Sequence, residues 1–142
     1  MYRHILIPTD GSELAERGVA HGLALAKSLG AKVSVIFVVE PFSEMTGRFQ
    51  EAVATYAELR KEQATSTLDH AANGAKEAGV SCETIQVENG QPHQAIIAAA
   101  ENKGCDLIVM STHGRSGLSV LLIGSVTNKV LTQAKIPVLV CQ

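Results

Sequence analysis

The sequence has few cysteines, and their spacing excludes the usual cysteine-based frameworks. Cys82, Cys105 and Cys141 are widely separated and form no CxxC pair. An odd number of scattered cysteines fits reduced thiols better than a set of disulfides. No histidines stand at metal-ligand spacing either. We therefore expect a cytoplasmic protein without a cysteine-based or histidine-based metal site.

Long apolar runs are also missing. No run approaches the roughly 20 residues that a membrane-spanning helix needs. The first residues, MYRHILIPTDGSE, lack the architecture of a signal peptide because Pro8 and Asp10 interrupt the apolar run almost at once. The sequence therefore predicts a protein with no membrane partner.

An excess of positive charge is the third absence. The formal net charge is −2, which argues against a nucleic-acid partner bound through a basic surface. Apolar residues make up 46% of the 142 residues, which is enough for a substantial core. The length predicts one domain that spans residues 1–142.

Five short apolar runs predict strands, and four helical patterns separate them. The predicted strands are His4–Pro8, Lys32–Val39, Ser81–Val87, Cys105–Met110 and Val138–Cys141. The predicted helices run from the N-cap Ser12 to Gly30, from Arg48 to Ala78, from Pro92 to Gly104 and from Ser125 to about Ala134. The polar middle of the second helix, Arg60 to Thr67, suggests a break, with the Arg60 stem snorkelling towards solvent.

This alternation predicts an α/β fold, a five-stranded mostly parallel sheet with helices on both faces. We expect a Rossmann-like fold with the strand order 3-2-1-4-5; the flavodoxin-like order 2-1-3-4-5 is the alternative. In the first order, strands one and four are neighbours. The loops that follow them then face each other across the switch point, where open α/β sheets bind ligands.

The stretch from Ser111 to Thr127, STHGRSGLSVLLIGSVT, joins a buried strand to a helix through a loop with three glycines. Glycines let backbone N–H groups approach a ligand, and a helix N-terminus adds unpaired donors and a positive dipole end. The stretch therefore predicts a phosphate site. Ser125 is expected to cap the helix, to bind a phosphate oxygen, or both. The spacing matches neither a Walker loop nor the Rossmann fingerprint.

Asp10 follows the first strand and has two interpretations. Its carboxylate can accept hydrogen bonds from a ribose hydroxyl or a base amino group. Alternatively, it begins an Asx turn before Ser12. The spacing alone leaves both open.

The combination of PTDGS, STHGRSGLSVLLIGSVTNKVL and IPVLVC resembles the universal stress protein family, and the resemblance covers the whole chain. ATP-binding members carry a Gly-x2-Gly-x9-Gly-Ser/Thr pattern. Gly114, Gly124 and Ser125 match it, but Ser111 replaces the first glycine. The serine adds bulk near the expected ribose and, at positive φ, would add strain.

The resemblance implies an adenine nucleotide alpha hydrolase-like fold. It also implies a site for ATP, or for a relative such as AMP or cyclic AMP, with Mg²⁺ or Mn²⁺ bridging the phosphates. It places Pro8, Thr9, Asp10 and Val38 at the adenosine end, with Val38 offering backbone contacts to the base. It places Met110, Ser111 and His113 near the ribose and first phosphates. Around the phosphates it places Gly114, Arg115, Gly124, Ser125, Val126 and Thr127.

The last strand, Ile136 to Cys141, carries no charge and is an edge in the expected order. Pairing of that edge with its own copy would protect it, and the resemblance implies the same homodimer. The leading hypothesis is therefore a dimeric nucleotide-binding stress or regulatory protein. One alternative is a slow ATP-hydrolysing or phosphoryl- or adenylyl-transferring enzyme, for which only Asp10 and His113 offer a base. The other is a dimeric interaction module without a nucleotide.

Overall fold

The computed structural model describes residues 1–41, 50–112 and 123–142 of the chain. The strands in these ranges are β1 (His4–Pro8), β2 (Lys32–Val39), β3 (Cys82–Glu88), β4 (Leu107–Ser111) and β5 (Val138–Cys141). The helices are α1 (Glu13–Leu29), α2 (Gln50–Ala78), α3 (Pro92–Lys103) and α4 (Ser125–Gln133).

The five strands form one parallel sheet in the order β3-β2-β1-β4-β5. This confirms the predicted order, and the flavodoxin-like alternative is wrong. β1 lies between β2 and β4, so the chain leaves β1 towards one side of the sheet and later returns on the other. The carboxyl ends of β1 and β4 therefore flank the switch point.

Alternating side chains of the strands divide the core between the two faces of the sheet. Ile5 and Ile7 of β1 pack with buried residues of α1 and α2, whereas Leu6 packs with buried residues of α3 and α4. All three are inaccessible to solvent. Burial on both faces explains why the central strands are nearly continuous in apolar character.

α1 approaches the sheet closely through glycines. Ser12 caps its start by accepting a hydrogen bond from the Ala15 N–H, and Gly30 ends it at φ 68°. A Cβ added to Gly22 would lie 2.3 Å from Cδ1 of Ile7, and one added to Gly18 would lie 3.2 Å from the backbone nitrogen of Ser111. The two glycines therefore allow close packing of the helix on the sheet.

α2 runs through its polar middle without interruption, so the predicted break between Arg60 and Thr67 is wrong. Ala64 is buried within this stretch, and Leu68 is buried directly after it. Thr67 lies against the turn after β1, since a Cβ on Gly11 would be 2.9 Å from its Oγ1. Tertiary contacts on the inner side therefore hold the helix where the sequence looks polar. The predicted helix start at Arg48 lies outside the described residues.

The fourth strand begins at Leu107, so Cys105 precedes it rather than lying within it. Cys105 is nevertheless buried, and burial raises the pKa of its thiol to about 11. All three cysteines are free thiols. None of the helices in the described ranges has both the length and the apolar content to cross a membrane.

Candidate functional site

A pocket lies over the carboxyl ends of the strands at the switch point. Its cavity volume is about 270 Å³, near the lower end of the roughly 300–1,000 Å³ typical of small-molecule sites. The structure brings together ten of the predicted site residues in its wall: Pro8, Thr9, Asp10, Val38, Met110, Ser111, Gly124, Ser125, Val126 and Thr127. The other three, His113, Gly114 and Arg115, lie outside the described residues and stay predictions.

The turn after β1 forms the floor of the pocket. The Thr9 N–H donates to the carbonyl oxygen of Ile36 at 2.9 Å and so ties the turn to β2. The Ser12 N–H donates to Oδ1 of Asp10 at 3.0 Å, which is the predicted Asx turn. Gly11 adopts φ 81°, a value that favours glycine. Asp10 therefore shapes the turn with one carboxylate oxygen while also lining the pocket.

The N-terminus of α4 opens into the pocket without a side-chain cap. The N-cap is Gly124, which has no side chain to accept a hydrogen bond from the first-turn N–H groups. The prediction that Ser125 caps the helix is wrong, since Ser125 is the first helical residue and is exposed. α1 differs because Ser12 caps it, and α3 begins with Pro92, which has no N–H to offer. First-turn donors and the positive dipole end of α4 therefore suit an anion.

Two hydrogen bonds hold α4 in place at the end of β4. The buried Thr127 hydroxyl donates to the carbonyl oxygen of Ser111 at 2.9 Å. The Gly124 N–H donates to the carbonyl oxygen of Thr112 at 2.7 Å. The hydroxyl proton of Thr127 is thus committed to the protein, although the residue lies in the pocket wall as predicted.

Ser111, which stands where the family pattern has glycine, is the last residue of β4. None of the non-glycine residues in the described ranges has a positive φ, so the condition under which Ser111 would be strained is not met. Its Cβ lies 3.7 Å from the position that a Cβ of Gly18 would occupy. The missing side chain of Gly18 therefore leaves space beside the serine.

The side of the pocket next to α3 is apolar. The end of β2 contributes Ile36 and Val38, α3 contributes Pro92 and Ile96, and β4 contributes Met110. Such a surface suits a flat, weakly polar group such as a base. Sequence reasoning found Val38 and Met110 but missed the other three. Ile36 could have been predicted to line the pocket, because it lies two residues before Val38 and therefore on the same face of the strand.

The opposite side, next to α2, is polar and was also missed. Tyr56, Arg60 and the exposed Glu40 line it. The prediction that the Arg60 stem snorkels to solvent is wrong, because the residue is only 7% exposed and its guanidinium carbon lies 5.3 Å from the centre of the Phe37 ring. The signal in the sequence was the position of Arg60 as the one polar interruption of an apolar helical stripe.

Side chains that could bind a metal ion are not grouped in the described part of the molecule. Within residues 1–41, 50–112 and 123–142, no three side chains of His, Cys, Asp or Glu lie close enough together to hold a metal ion.

Comparison with known proteins gives matches along the full chain. The model of the universal stress protein family matches residues 1–142. The universal stress protein MJ0531 of Methanocaldococcus jannaschii is 38% identical over 142 residues, covering 99% of this chain and 82% of that protein.

Two solved structures are similar in fold. The universal stress protein UspA from Lactobacillus plantarum has a TM-score of 0.89 at 21% identity, covering 99% of this chain and 98% of that one. A universal stress protein solved in complex with cAMP has a TM-score of 0.72 at 25% identity, covering 99% of this chain and 97% of that one.

Proposed function

Because this chain belongs to the universal stress protein family, we propose that its pocket binds an adenine nucleotide. ATP is the first candidate, with AMP and cyclic AMP as relatives of the same chemistry. The protein would act as a nucleotide-binding stress or regulatory protein in the cytoplasm, where occupancy of the pocket alters the surface offered to partners.

The observation that carries this proposal is the uncapped start of α4 beside an apolar wall. A nucleotide has an anionic end and a flat, weakly polar end. The first-turn N–H groups after Gly124 suit the phosphates. Ile36, Val38 and Ile96 suit the base. A bare phosphate would leave the apolar wall unused.

The relative solved in complex with cAMP supports the proposal, because it has this fold and covers nearly the whole chain. The residues of the pocket also fit the ligand chemically. Thr9 and Asp10 offer polar atoms beside the apolar wall, where hydroxyl and amino groups of an adenosine would lie. A Mg²⁺ or Mn²⁺ ion carried by ATP would take ligands from the phosphates and neutralise part of their charge.

Titration calorimetry with ATP, ADP, AMP and cyclic AMP in the presence of magnesium tests the proposal. Identification by mass of any nucleotide that copurifies would point to the physiological one. We expect at least one of the four to bind at micromolar to millimolar concentration. Failure of all four at millimolar concentration would overturn the proposal.

Gly124→Asp should abolish or severely weaken nucleotide binding without harming the fold. The N-cap φ of −62° is accessible to aspartate. Its carboxylate would accept hydrogen bonds from the first-turn N–H groups and would repel phosphate. We expect nucleotide affinity to fall at least about tenfold, while the free energy of unfolding stays the same or rises by a few tenths of a kcal/mol.

Gln133→Asp is the matched control, because it adds the same charge at the exposed C-terminal end of the same helix. It should leave nucleotide affinity within about twofold, since it lies far from the first-turn donors. Normal nucleotide binding by Gly124→Asp would show that the phosphates do not lie at the start of α4.

A further inference from the structure

Arg60 is a buried cation on the inner side of α2. The residue is 7% exposed and forms part of the pocket wall together with Tyr56. One of its terminal nitrogens, Nη1, donates a hydrogen bond to Oε1 of Gln63. Its guanidinium lies over the Phe37 ring at 5.3 Å. These contacts fix the guanidinium at the carboxyl edge of the sheet rather than in solvent.

Arg60 has no compensating charge among the described residues, since no carboxylate in residues 1–41, 50–112 and 123–142 forms an ion pair with it. Its Nε–H is buried and has no hydrogen-bond partner in these ranges. A buried donor without a partner lowers stability, and a buried charge without a counter-charge lowers it further. The Phe37 ring offers only a weak substitute for an anion.

The position of Arg60 gives the pocket two cationic regions. The start of α4 lies on the side of the sheet covered by α3 and α4, whereas Arg60 comes from α2 on the other side. The apolar wall and the β1 turn belong to the same pocket. We therefore expect 5′-phosphates at α4 to lie on the other side of the pocket from Arg60, which leaves Arg60 to a second anion.

We propose that Arg60 is a second anion-binding residue of this pocket, and that the preferred ligand is an adenine nucleotide with an additional anionic group away from its 5′-phosphate. The inference rests on the proposed function and specifies the substrate class of the same site. A phosphate on the 2′ or the 3′ oxygen of the ribose has the required chemistry. A guanidinium binds such a group through paired N–H donors.

Calorimetric titration of the wild-type protein with 5′-AMP, adenosine 2′,5′-bisphosphate and adenosine 3′,5′-bisphosphate tests this preference. We expect one of the bisphosphates to bind about 10- to 100-fold more tightly than 5′-AMP, the range that follows from hydrogen bonds to a charged group. The isomer that binds more tightly identifies which oxygen carries the second anion. If 5′-AMP binds and neither bisphosphate binds more tightly, this inference fails while the proposed function stands. If none of the three binds, this inference fails, and the titration with ATP, ADP and cyclic AMP separately decides the proposed function.

Arg60→Met should reduce the advantage of the bisphosphate over 5′-AMP to within about twofold. Methionine keeps an unbranched stem that packs on Phe37 but has no charge. Arg60→Lys, which keeps the charge without the fork of donors, should retain part of the advantage. Arg17→Gln is the control, because Arg17 is an exposed residue of α1 that pairs with Glu13, and it should leave the ratio unchanged.

Melting temperature without ligand distinguishes ligand binding from a structural role. Arg60→Met removes an uncompensated buried charge, so it should keep or raise the melting temperature, by about 2 to 4 °C. A residue that merely holds α2 on the sheet would lower it when replaced. A preserved bisphosphate advantage in Arg60→Met, or a melting temperature lowered by several degrees, would overturn the inference.

Discussion

His4, Ser34 and Glu83 form a hydrogen-bonded chain across β1, β2 and β3. Nε2 of His4 and Oγ of Ser34 are 2.7 Å apart, and the Ser34 hydroxyl donates to Oε1 of Glu83 at 2.7 Å. Because the only hydroxyl proton of Ser34 goes to Glu83, Nε2 of His4 must be the donor to Ser34. Lys103 lies 3.4 Å from the other oxygen of Glu83. Side chains on three neighbouring strands thus fix one tautomer of a buried histidine.

These three hydrogen-bonded side chains also make the free energy of unfolding depend on pH. Burial lowers the pKa of His4, so protonation of this imidazole favours the unfolded chain as pH falls through about 6.5. The hydrogen bond from Ser34 lowers the pKa of Glu83. Its stabilising contribution is therefore present above the ordinary glutamate pKa and is lost as pH falls through the lower, folded-state value.

Ser34→Ala should lower the free energy of unfolding by about 1–3 kcal/mol at pH 7, because it leaves the buried Nε2–H of His4 without an acceptor. Urea denaturation at several pH values measures the effect. The difference between variant and wild type should shrink below pH 4.5, where Glu83 becomes protonated in the unfolded chain. Ser66→Ala, at an exposed position of α2, is the control. A difference that is constant from pH 7 to pH 3 would contradict the assigned coupling to Glu83.

At the residue scale, the sequence was a good guide to which residues line the pocket. It was a poorer guide to the role of each residue there. The Gly124-Ser125 pair predicted a helix start, but either residue can stand at the N-cap, and the structure places glycine there. Arg60 was visible as an interruption of an apolar stripe. An arginine at such a position can reach solvent or turn inward, depending on the residue that it faces. Here it faces Phe37 of β2. The spacing of residues within one helix does not reveal that neighbour.

At the scale of elements, the approach of α1 to the sheet depends on Gly22. A Cβ there would lie 2.3 Å from Cδ1 and 2.8 Å from Cγ1 of Ile7. Ile7 is completely buried, so it has no free space into which to move. The distance between α1 and β1 is therefore set by a missing side chain.

Gly22→Ala should lower the free energy of unfolding by about 1–2 kcal/mol, because overpacking exceeds the gain in helix propensity. Gly74→Ala is the matched control within α2. A Cβ at Gly74 meets only Leu23, at an ordinary 3.6 Å, so the same change should raise the free energy of unfolding by about 0.5–1 kcal/mol. Chemical denaturation of the two variants measures both signs. Equal effects of the two changes would contradict the close packing of Gly22 on Ile7.

The boundaries of the helices and strands were largely predictable because caps and turn residues mark them. Ser12, Gly30 and Gly104 stand where the predicted helices begin or end. The continuity of α2 was not predictable, since its middle packs against distant segments, such as the turn that contains Gly11. A single-sequence pattern records polarity but not such partners.

At the scale of the whole molecule, β5 is an edge strand, paired on one side only with β4 in the described sheet. Leu139 is 47% exposed on this strand, and Leu131 of α4 is 38% exposed rather than part of the core. An apolar, uncharged edge favours pairing with another copy. The homodimer through Ile136 to Cys141 stays a prediction with this structural support.

Leu139→Lys should shift the protein from dimer to monomer, because a charge on the edge opposes pairing. Size-exclusion chromatography with light scattering measures the mass. Thr84→Lys adds the same charge to the exposed side of the other edge strand, β3, and should leave the mass unchanged. A monomeric wild type would refute the dimer itself. A dimer that persists in Leu139→Lys and dissociates in Thr84→Lys would place the interface on β3 instead.

The strand order was predictable because the two most distinctive loops had to meet at a switch point. The pocket was only half predictable. The predictable residues lie in turns that follow strands, where glycine, aspartate and serine form motifs that can be recognised in the sequence. Pro92 and Ile96, like the residues from α2, come from helices whose sequences look like ordinary packing surfaces. Their role depends on tertiary placement alone.

The carbonyl groups that anchor α4 belong to the same short segment that pairs with β5. Ser111 lies opposite Cys141, and the Thr112 N–H donates to the carbonyl oxygen of Cys141 at 3.0 Å. In a dimer built through β5, the start of α4, where we propose that the ligand binds, is thus one peptide unit from the strand that meets the partner. Any strengthening of the dimer by a ligand must be matched by an equal strengthening of ligand binding in the dimer. The protein concentration would then help to determine how much nucleotide is bound.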